Sequence, residues 1–156
     1  MIKITQVKDI DTLMAWRKEV IRNVFGVEAG DSLLEANRDY YLEHIADGTH
    51  IAVTAGFDSE ECGCGAICLT EELPSPDNPS GKCAYLMNIY VREAFRRHGI
   101  AHKIVAWLVD EAKKHGCGKI YLETTADGKP VYRSLGFREM ADMMKYYDTE
   151  DKNWKS

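Results

Sequence analysis

Apolar and polar residues repeat along this chain with two periods, and the change between them predicts alternating strands and helices. Residues 2–7 alternate as a strand does, and the apolar positions that follow keep helical spacing up to residue 25. Asp9 or Asp11 is expected to cap that helix, because an aspartate at a helix start accepts a hydrogen bond from an open amide. A glycine-containing break over 26–30 ends it.

The next segments predict a second helix and a hairpin. Ser32 and Glu35 have the spacing of a capping box at the start of a helix. Gly48 is a suitable residue to end that helix. Residues 50–57 and 65–69 read as two strands joined by a polar turn.

The second half of the chain completes an α/β order. Residues 71–82 are predicted to form a proline-rich loop and 84–91 the central strand. A strongly amphipathic helix at 99–115 and a further strand at 120–124 follow. A short helix at 130–135 and the last strands at 137–147 end the order. We therefore expect one α/β domain over residues 1–150, followed by a polar tail at 151–156.

Composition limits the class of protein. A chain of 156 residues that is 45% hydrophobic buries one core. It has no apolar run long enough to span a membrane and no signal peptide at its start. A net charge of −5 argues against a general nucleic-acid binder. These features predict a cytoplasmic protein that binds neither nucleic acid nor membrane.

The five cysteines predict no disulfide framework, because their number is odd and no secretory signal precedes them. Cys62, Cys64 and Cys68 invite a zinc interpretation, yet their spacing is not one that zinc sites use. We expect small buried hydrophobes there and no metal.

A basic turn at the start of the amphipathic helix is the best candidate for a ligand site. Its side chains are Arg96, Arg97, His98, His102 and Lys103. The helix opens at Gly99, and a helix start presents unpaired amides and the positive end of the macrodipole. In an acidic chain this combination predicts an anionic ligand, with phosphate the natural candidate.

The spacing Arg96-x-x-Gly99-x-Ala101, with the later segment Tyr132-Arg-Ser-Leu-Gly-Phe137, resembles the GCN5-related N-acetyltransferase (GNAT) family. The order of predicted elements is similar to that family over nearly the whole chain. The resemblance implies a mixed, mostly antiparallel sheet, splayed at a cleft for acetyl-CoA and flanked by helices. It implies an enzyme that transfers an acetyl group to a primary amine and needs no metal.

The resemblance also implies which residues hold the cosubstrate. Main-chain groups of Ile89 and Val91 would bind the pantetheine arm, and the Ile89 amide would face the thioester oxygen. The pyrophosphate would lie on the amides of the turn, at Arg97, His98, Gly99, Ile100 and Ala101. Arg96 and His102 complete the expected cofactor-binding set.

Catalysis by such an enzyme needs an acid for the departing sulfur and a base for the incoming ammonium. Tyr132 matches the tyrosine that the family commonly uses as the acid, although a tyrosine there could equally pack in the core. Relatives often carry the base on the central strand, where this chain has Tyr85. Asn88 could hold a water instead. Among the acids, Glu71, Glu72 and Glu123 remain open, with Glu123 preferred.

Two further expectations concern the last helix and the acceptor. Asp127 stands where relatives often have asparagine, and we expect it to cap the short helix. The segments 22–48 and 71–82, which wall the acceptor pocket in the family, are acidic here. That favours a cationic small-molecule amine, such as a polyamine, an aminoglycoside or a lysine-like amine, unless the acids simply face solvent.

Two other functions stay open. The chain could acetylate a protein or peptide amine, or it could be an acyl-CoA-binding sensor without turnover. The acceptor, an acyl group other than acetyl and a homodimer are likewise left open by the sequence.

Overall fold

The computed structural model describes residues 1–148 and 150, so the expected tail at 151–156 lies outside the described residues. The strands are β1 (Ile2–Val7), β2 (His50–Phe57), β3 (Glu60–Glu71), β4 (Lys82–Val91) and β5 (Lys119–Leu122). The helices are α1 (Ile10–Val20), α2 (Asp31–Ala46), α3 (Ile100–Lys114) and α4 (Lys129–Ser134).

The strands form a single sheet in sequence order, β1-β2-β3-β4-β5. Neighbours from β1 to β4 are antiparallel, whereas β4 and β5 are parallel and α3 connects them. This is the expected mixed, mostly antiparallel α/β sheet. One detail differs, because β4 is the fourth of these five strands and not the central one.

Helices cover both faces of the sheet. On one face α3 buries Ile104, Val105 and Leu108 completely against β2, β3 and β4. On the other face α1 and α2 pack through Leu13 and Tyr41. Each helix thus buries its apolar stripe against one side of the sheet, which leaves the end of β4 fixed between α1 and α3.

Helix starts follow the sequence in one case and depart from it in two. Asp9 caps α1, and its carboxylate accepts the Thr12 amide at 2.9 Å. The expected capping box is wrong, because α2 begins two residues earlier than it predicts, with Gly30 at the cap and Ser32 already inside the helix. Asp127 does not cap α4 either; it lies in a short 3-10 turn and Gly128 is at the cap.

The expectation of strands over 137–147 is wrong, since the described residues after β5 contain no strand. Side chains hold this segment against α4: Arg133 and Lys129 both pair with Glu139, and Arg138 donates to the Arg133 carbonyl at 3.3 Å. Three of its eleven residues are Met, and Glu139, Ala141, Asp142 and Lys145 are poor strand formers. Within the described chain, the outer edge of β5 therefore has no strand partner.

Helix length and the placement of possible metal ligands can be stated for residues 1–148 and 150. No helix there is both long and apolar enough to cross a membrane. No group of three or more His, Cys, Asp or Glu side chains there is placed to hold a metal ion. Cys62 and Cys64 are buried and Cys68 is partly buried, in line with their expected role as small, mostly buried hydrophobes.

Candidate functional site

The sheet opens where β4 extends beyond the end of β5. The two strands pair from Cys83–Lys119 to Leu86–Leu122, and there β5 ends while β4 continues to Val91. A gap beside the last part of β4 follows directly from this difference in length. Ile89 and Val91, which sequence analysis assigned to the pantetheine arm, both lie along the gap.

A β-bulge shapes β4 at this point. Cys64 pairs with Tyr90 and Ala66 with Met87, so two residues of β4, Asn88 and Ile89, face the single Gly65 of β3. Asn88 has a φ of 59°, a left-handed conformation that asparagine tolerates better than most residues. In the described sheet neither bulge residue has a register partner, and the Asn88 carbonyl accepts a hydrogen bond from the Cys64 thiol at 3.4 Å.

Gly65 is required by the side chains beneath it. A Cβ at that position would lie 2.6 Å from Cγ2 of Ile104 and 2.8 Å from Cδ1 of Ile89. The glycine lets Ile89 turn into the core under the bulge. The bulge is therefore held in place by close packing against α3.

Beyond Val91 the chain turns and enters α3 without a side-chain cap. Arg96 donates from Nε to the Val91 carbonyl at 3.0 Å and ties the turn to the strand. Gly99 is the cap residue, with φ 77°, and Arg97 also has a positive φ of 68°. The first helical bond runs from the Lys103 amide to the Gly99 carbonyl, so the preceding amides of the first turn are open.

The turn offers the space and charge that a phosphate ligand requires. A Cβ added at Gly99 would meet nothing within 4 Å, so the backbone there is open to close approach. The charged side chains around it are exposed (Arg96, Arg97, His98, His102 and Lys103). Ile100 is buried and anchors the helix start to the core, with Ala101 partly buried beside it. The residues thus fit a pyrophosphate.

Tyr132 lies on α4 and lines an open groove of about 530 Å³ between α3, β5 and α4. Its ring packs edge-on against Phe137 at 5.8 Å between centroids. Burial raises the pKa of the Tyr132 phenol, so it is protonated at neutral pH. In the described part of the chain its hydroxyl has no hydrogen-bond partner.

Glu123 directly follows β5, on the other side of the gap from β4. The Tyr85 hydroxyl donates to its Oε1 at 3.0 Å. Burial, and then the hydrogen bond to Glu123, raises the pKa of Tyr85 to about 12. Tyr85 is therefore a neutral donor that holds the Glu123 carboxylate at the gap.

The other candidate acids lie elsewhere. Glu71 pairs with Lys82, six residues before Asn88, which is roughly 20 Å along a strand. Glu72 accepts hydrogen bonds from Lys119 at 3.2 Å and Asn78 at 3.4 Å. The acidic loop after β3 is thus at the end of the sheet away from the gap.

Arg17 is a residue of the site that sequence analysis missed. Its Nη1 donates to Oδ1 of Asn88 at 2.8 Å, and its Nε donates to Oδ1 of Asn37 on α2 at 3.0 Å. Nothing in the spacing of α1 separates Arg17 from Lys18, which is exposed. What distinguishes Arg17 is its hydrogen bond to Asn88 in the bulge, and this contact forms only in the folded protein.

Comparison with known proteins gives a family. The model of the acetyltransferase (GNAT) family matches residues 12–137. A predicted acetyltransferase from Clostridium acetobutylicum, solved with acetyl-CoA, superposes with a TM-score of 0.83 at 26% identity. That superposition covers 94% of this chain and 96% of the other.

Two curated relatives are N-acetyltransferases by name, and the name of the second gives a ribosomal protein as its substrate. N-alpha-acetyltransferase 30 of Saccharomyces cerevisiae is 29% identical over 121 residues, which are 74% of this chain and 66% of that protein. [Ribosomal protein bS18]-alanine N-acetyltransferase of Escherichia coli is 35% identical over 71 residues, 44% of this chain and 48% of that protein. The matched segments thus span between half and two thirds of these relatives. With the family model covering most of its length, the chain belongs to the GNAT acetyltransferase family.

Proposed function

We propose that this protein is an acetyl-CoA-dependent N-acetyltransferase that acetylates the primary amine of a small molecule. One observation carries the proposal: β4 bulges at Asn88 beside the gap left by β5 and leads straight into the open start of α3. A single stretch of chain therefore offers main-chain donors for a thioester and open helix amides for a pyrophosphate.

The residues that would hold acetyl-CoA are those of this stretch. Ile89 and Val91 would bind the pantetheine arm, and the amides from Arg97 to Ala101 would bind the pyrophosphate. When bound, acetyl-CoA supplies a thioester whose carbonyl carbon can be attacked by an amine. The Ile89 amide, which belongs to the bulge, would donate a hydrogen bond to the thioester oxygen.

Tyr132 is proposed as the acid. A phenol with a raised pKa carries its proton at neutral pH and can donate it as the thiolate departs; the phenolate that forms is the stronger base and takes a proton back from solvent. Because no described residue hydrogen-bonds its hydroxyl, the proton is not committed elsewhere in the chain.

Glu123 is proposed as the base. It is exposed at the gap and held by Tyr85, so it can accept a proton from an incoming ammonium directly or through a water. Asn88 has a different part: its Oδ1 accepts from Arg17, and an amide does not take up a proton. We propose that Asn88 positions the acceptor or a water.

Acetylation of a protein N-terminus is the second candidate. The curated relatives with this activity favour it. Exposed Val24, Phe25, Val27 and Leu33 beside the α1–α2 connection would give a peptide apolar contacts. A free amine panel and a peptide panel separate the two candidates.

The experiment is a turnover assay of the pure protein with acetyl-CoA, following thiol release with each amine. Glu123→Gln should lower kcat/KM by about tenfold or more near pH 7, and part of the loss should return at high pH as the amine deprotonates in solution. Glu71→Gln, which removes an equal charge at the far end of the sheet, is the matched control. Acetyl-CoA binding without thiol release from any amine or peptide would identify a sensor.

A further inference from the structure

Arg17 differs from the other described arginines that bond to a side chain; Arg96 and Arg138 bond to main-chain carbonyls only. Four arginines contact a carboxylate (Arg22 with Glu28, Arg38 with Asp11, Arg92 with Glu19 and Arg133 with Glu139). Arg17 is partly buried and, within residues 1–148 and 150, has no carboxylate within 4 Å. A partly desolvated charge without a counter-ion is costly unless another anion binds to it.

The guanidinium of Arg17 is held in one orientation. It donates to Asn37 of α2 and to Asn88 of β4, and it lies 5.7 Å from the centroid of the Phe25 ring. These contacts use two of its five N–H groups, which leaves three to donate elsewhere. The side chain is therefore organised before any ligand arrives, so little entropy is lost when one binds.

The position of this charge points to the acceptor. Asn88, its partner, directly precedes Ile89, and α1 covers the face of the sheet opposite α3. An anion on Arg17 would thus lie close to the amine that attacks the thioester. Guanidinium groups bind carboxylates with paired, charge-assisted hydrogen bonds.

We propose that Arg17 binds a carboxylate of the acceptor, which makes the acceptor a small amine that also carries a carboxylate, an amino acid in chemical class. The inference rests on the proposed function and narrows its substrate. It replaces the cationic acceptor suggested by the acidic segments. Glu28 of those segments is already paired with Arg22, and Glu71 and Glu72 are remote.

The experiment compares matched amines. Glycine, β-alanine, 4-aminobutyrate and lysine are each assayed beside the corresponding amide and the decarboxylated amine, with thiol release as the readout. The wild-type protein should prefer at least one acid over both of its partners by about tenfold or more in kcat/KM. Equal turnover of an acid and its amide throughout the panel would overturn the inference and leave the N-acetyltransferase proposal standing.

Variants then connect the preference to the residue. Arg17→Gln should reduce the preference to about twofold or less, and Arg17→Lys, which keeps the charge but not the fork, should keep part of it. Lys18→Gln removes the neighbouring exposed charge and should change nothing. Unchanged acetyl-CoA affinity in Arg17→Gln shows that its fold is intact. A preference that survives in Arg17→Gln contradicts the inference.

Direct binding covers the case in which no amine is turned over. The protein saturated with coenzyme A is titrated calorimetrically with the same acids and amides. Binding of an acid by wild type that is lost in Arg17→Gln supports the inference even though the proposed turnover has failed. No binding of any acid overturns it.

Discussion

At the scale of single residues, one hydroxyl separates the two interpretations of Tyr132. Its ring packs against Phe137, and phenylalanine would keep that contact. If the hydroxyl protonates the departing thiolate, Tyr132→Phe should lower kcat by roughly two to four orders of magnitude while acetyl-CoA affinity stays unchanged. Steady-state kinetics with both substrates varied, together with a binding titration, measure this.

The control for this change is Tyr146→Phe, which removes a hydroxyl from an exposed tyrosine outside the groove. Its kcat should equal that of the wild type. Should Tyr132→Phe keep normal turnover with chemistry rate-limiting, Tyr132 would be a packing residue only.

Residue-scale features were predicted unevenly from the sequence. The charged turn and Gly99 were found because a helix start is a local property of the chain. The bulge at Asn88 depends on Gly65 and Ile104, which are far from it in sequence. Arg17 acquires its partners only when α1, α2 and β4 meet. Contacts of that kind leave no local pattern to detect.

At the scale of elements, the start of α3 can be tested with one substitution. Gly99→Val should leave the protein folded, because a Cβ at this position meets nothing within 4 Å and the positive φ costs about 1–2 kcal/mol. Acetyl-CoA binding should be lost or reduced by about tenfold or more, since the side chain occupies the phosphate approach and disturbs the open amides. A calorimetric titration with acetyl-CoA measures the loss.

Gly48→Val is the matched control for backbone strain. Gly48 has φ 79°, and a Cβ there also meets nothing within 4 Å, but it follows α2, far from the turn. Both variants should lose similar stability, and only Gly99→Val should lose acetyl-CoA binding. If Gly99→Val and Gly48→Val bound acetyl-CoA with equal affinity, the phosphate site could not be assigned to this turn.

Elements with a strong period of their own were predicted well. The apolar face of α3 and the alternation of β1 and β2 dictated their ends to within a residue or two. The segment after α4 was predicted wrongly, because Glu139 and Arg138 bind it to α4 and these contacts decide its conformation. Ser32 is not the cap of α2, because the helix already starts at the preceding residue, Asp31.

At the scale of the whole molecule, His50 makes stability depend on pH. It is 4% exposed, and its Nδ1 accepts the Tyr40 hydroxyl at 2.9 Å. Burial, and then the charges of His44 and Arg17, lower the pKa of His50 from 6.5 to about 4. Above pH 6.5 neither the native nor the unfolded state binds the proton. As the pH falls from 6.5 to 4, only the unfolded state does, and the native state loses roughly 3 kcal/mol.

Chemical denaturation at pH 7.5 and pH 5 tests this effect. In His50→Gln the difference in unfolding free energy between the two pH values should be smaller than in wild type, by about 2 kcal/mol. His115→Gln, an exposed histidine at the end of α3, should behave as wild type does. Identical pH dependence in all three proteins would mean that His50 titrates normally.

The close packing of Gly65 against Ile89 and Ile104 means that these three positions cannot change independently in evolution. A methyl group at 65 needs room that only smaller side chains at 89 and 104 could give, and the Ile89 amide is the group that we propose for the thioester oxygen. Substitutions at these three positions should therefore be epistatic, so that changes harmful one by one become acceptable together. A residue that touches no substrate thereby limits which paths of sequence change can reshape the acetyl site.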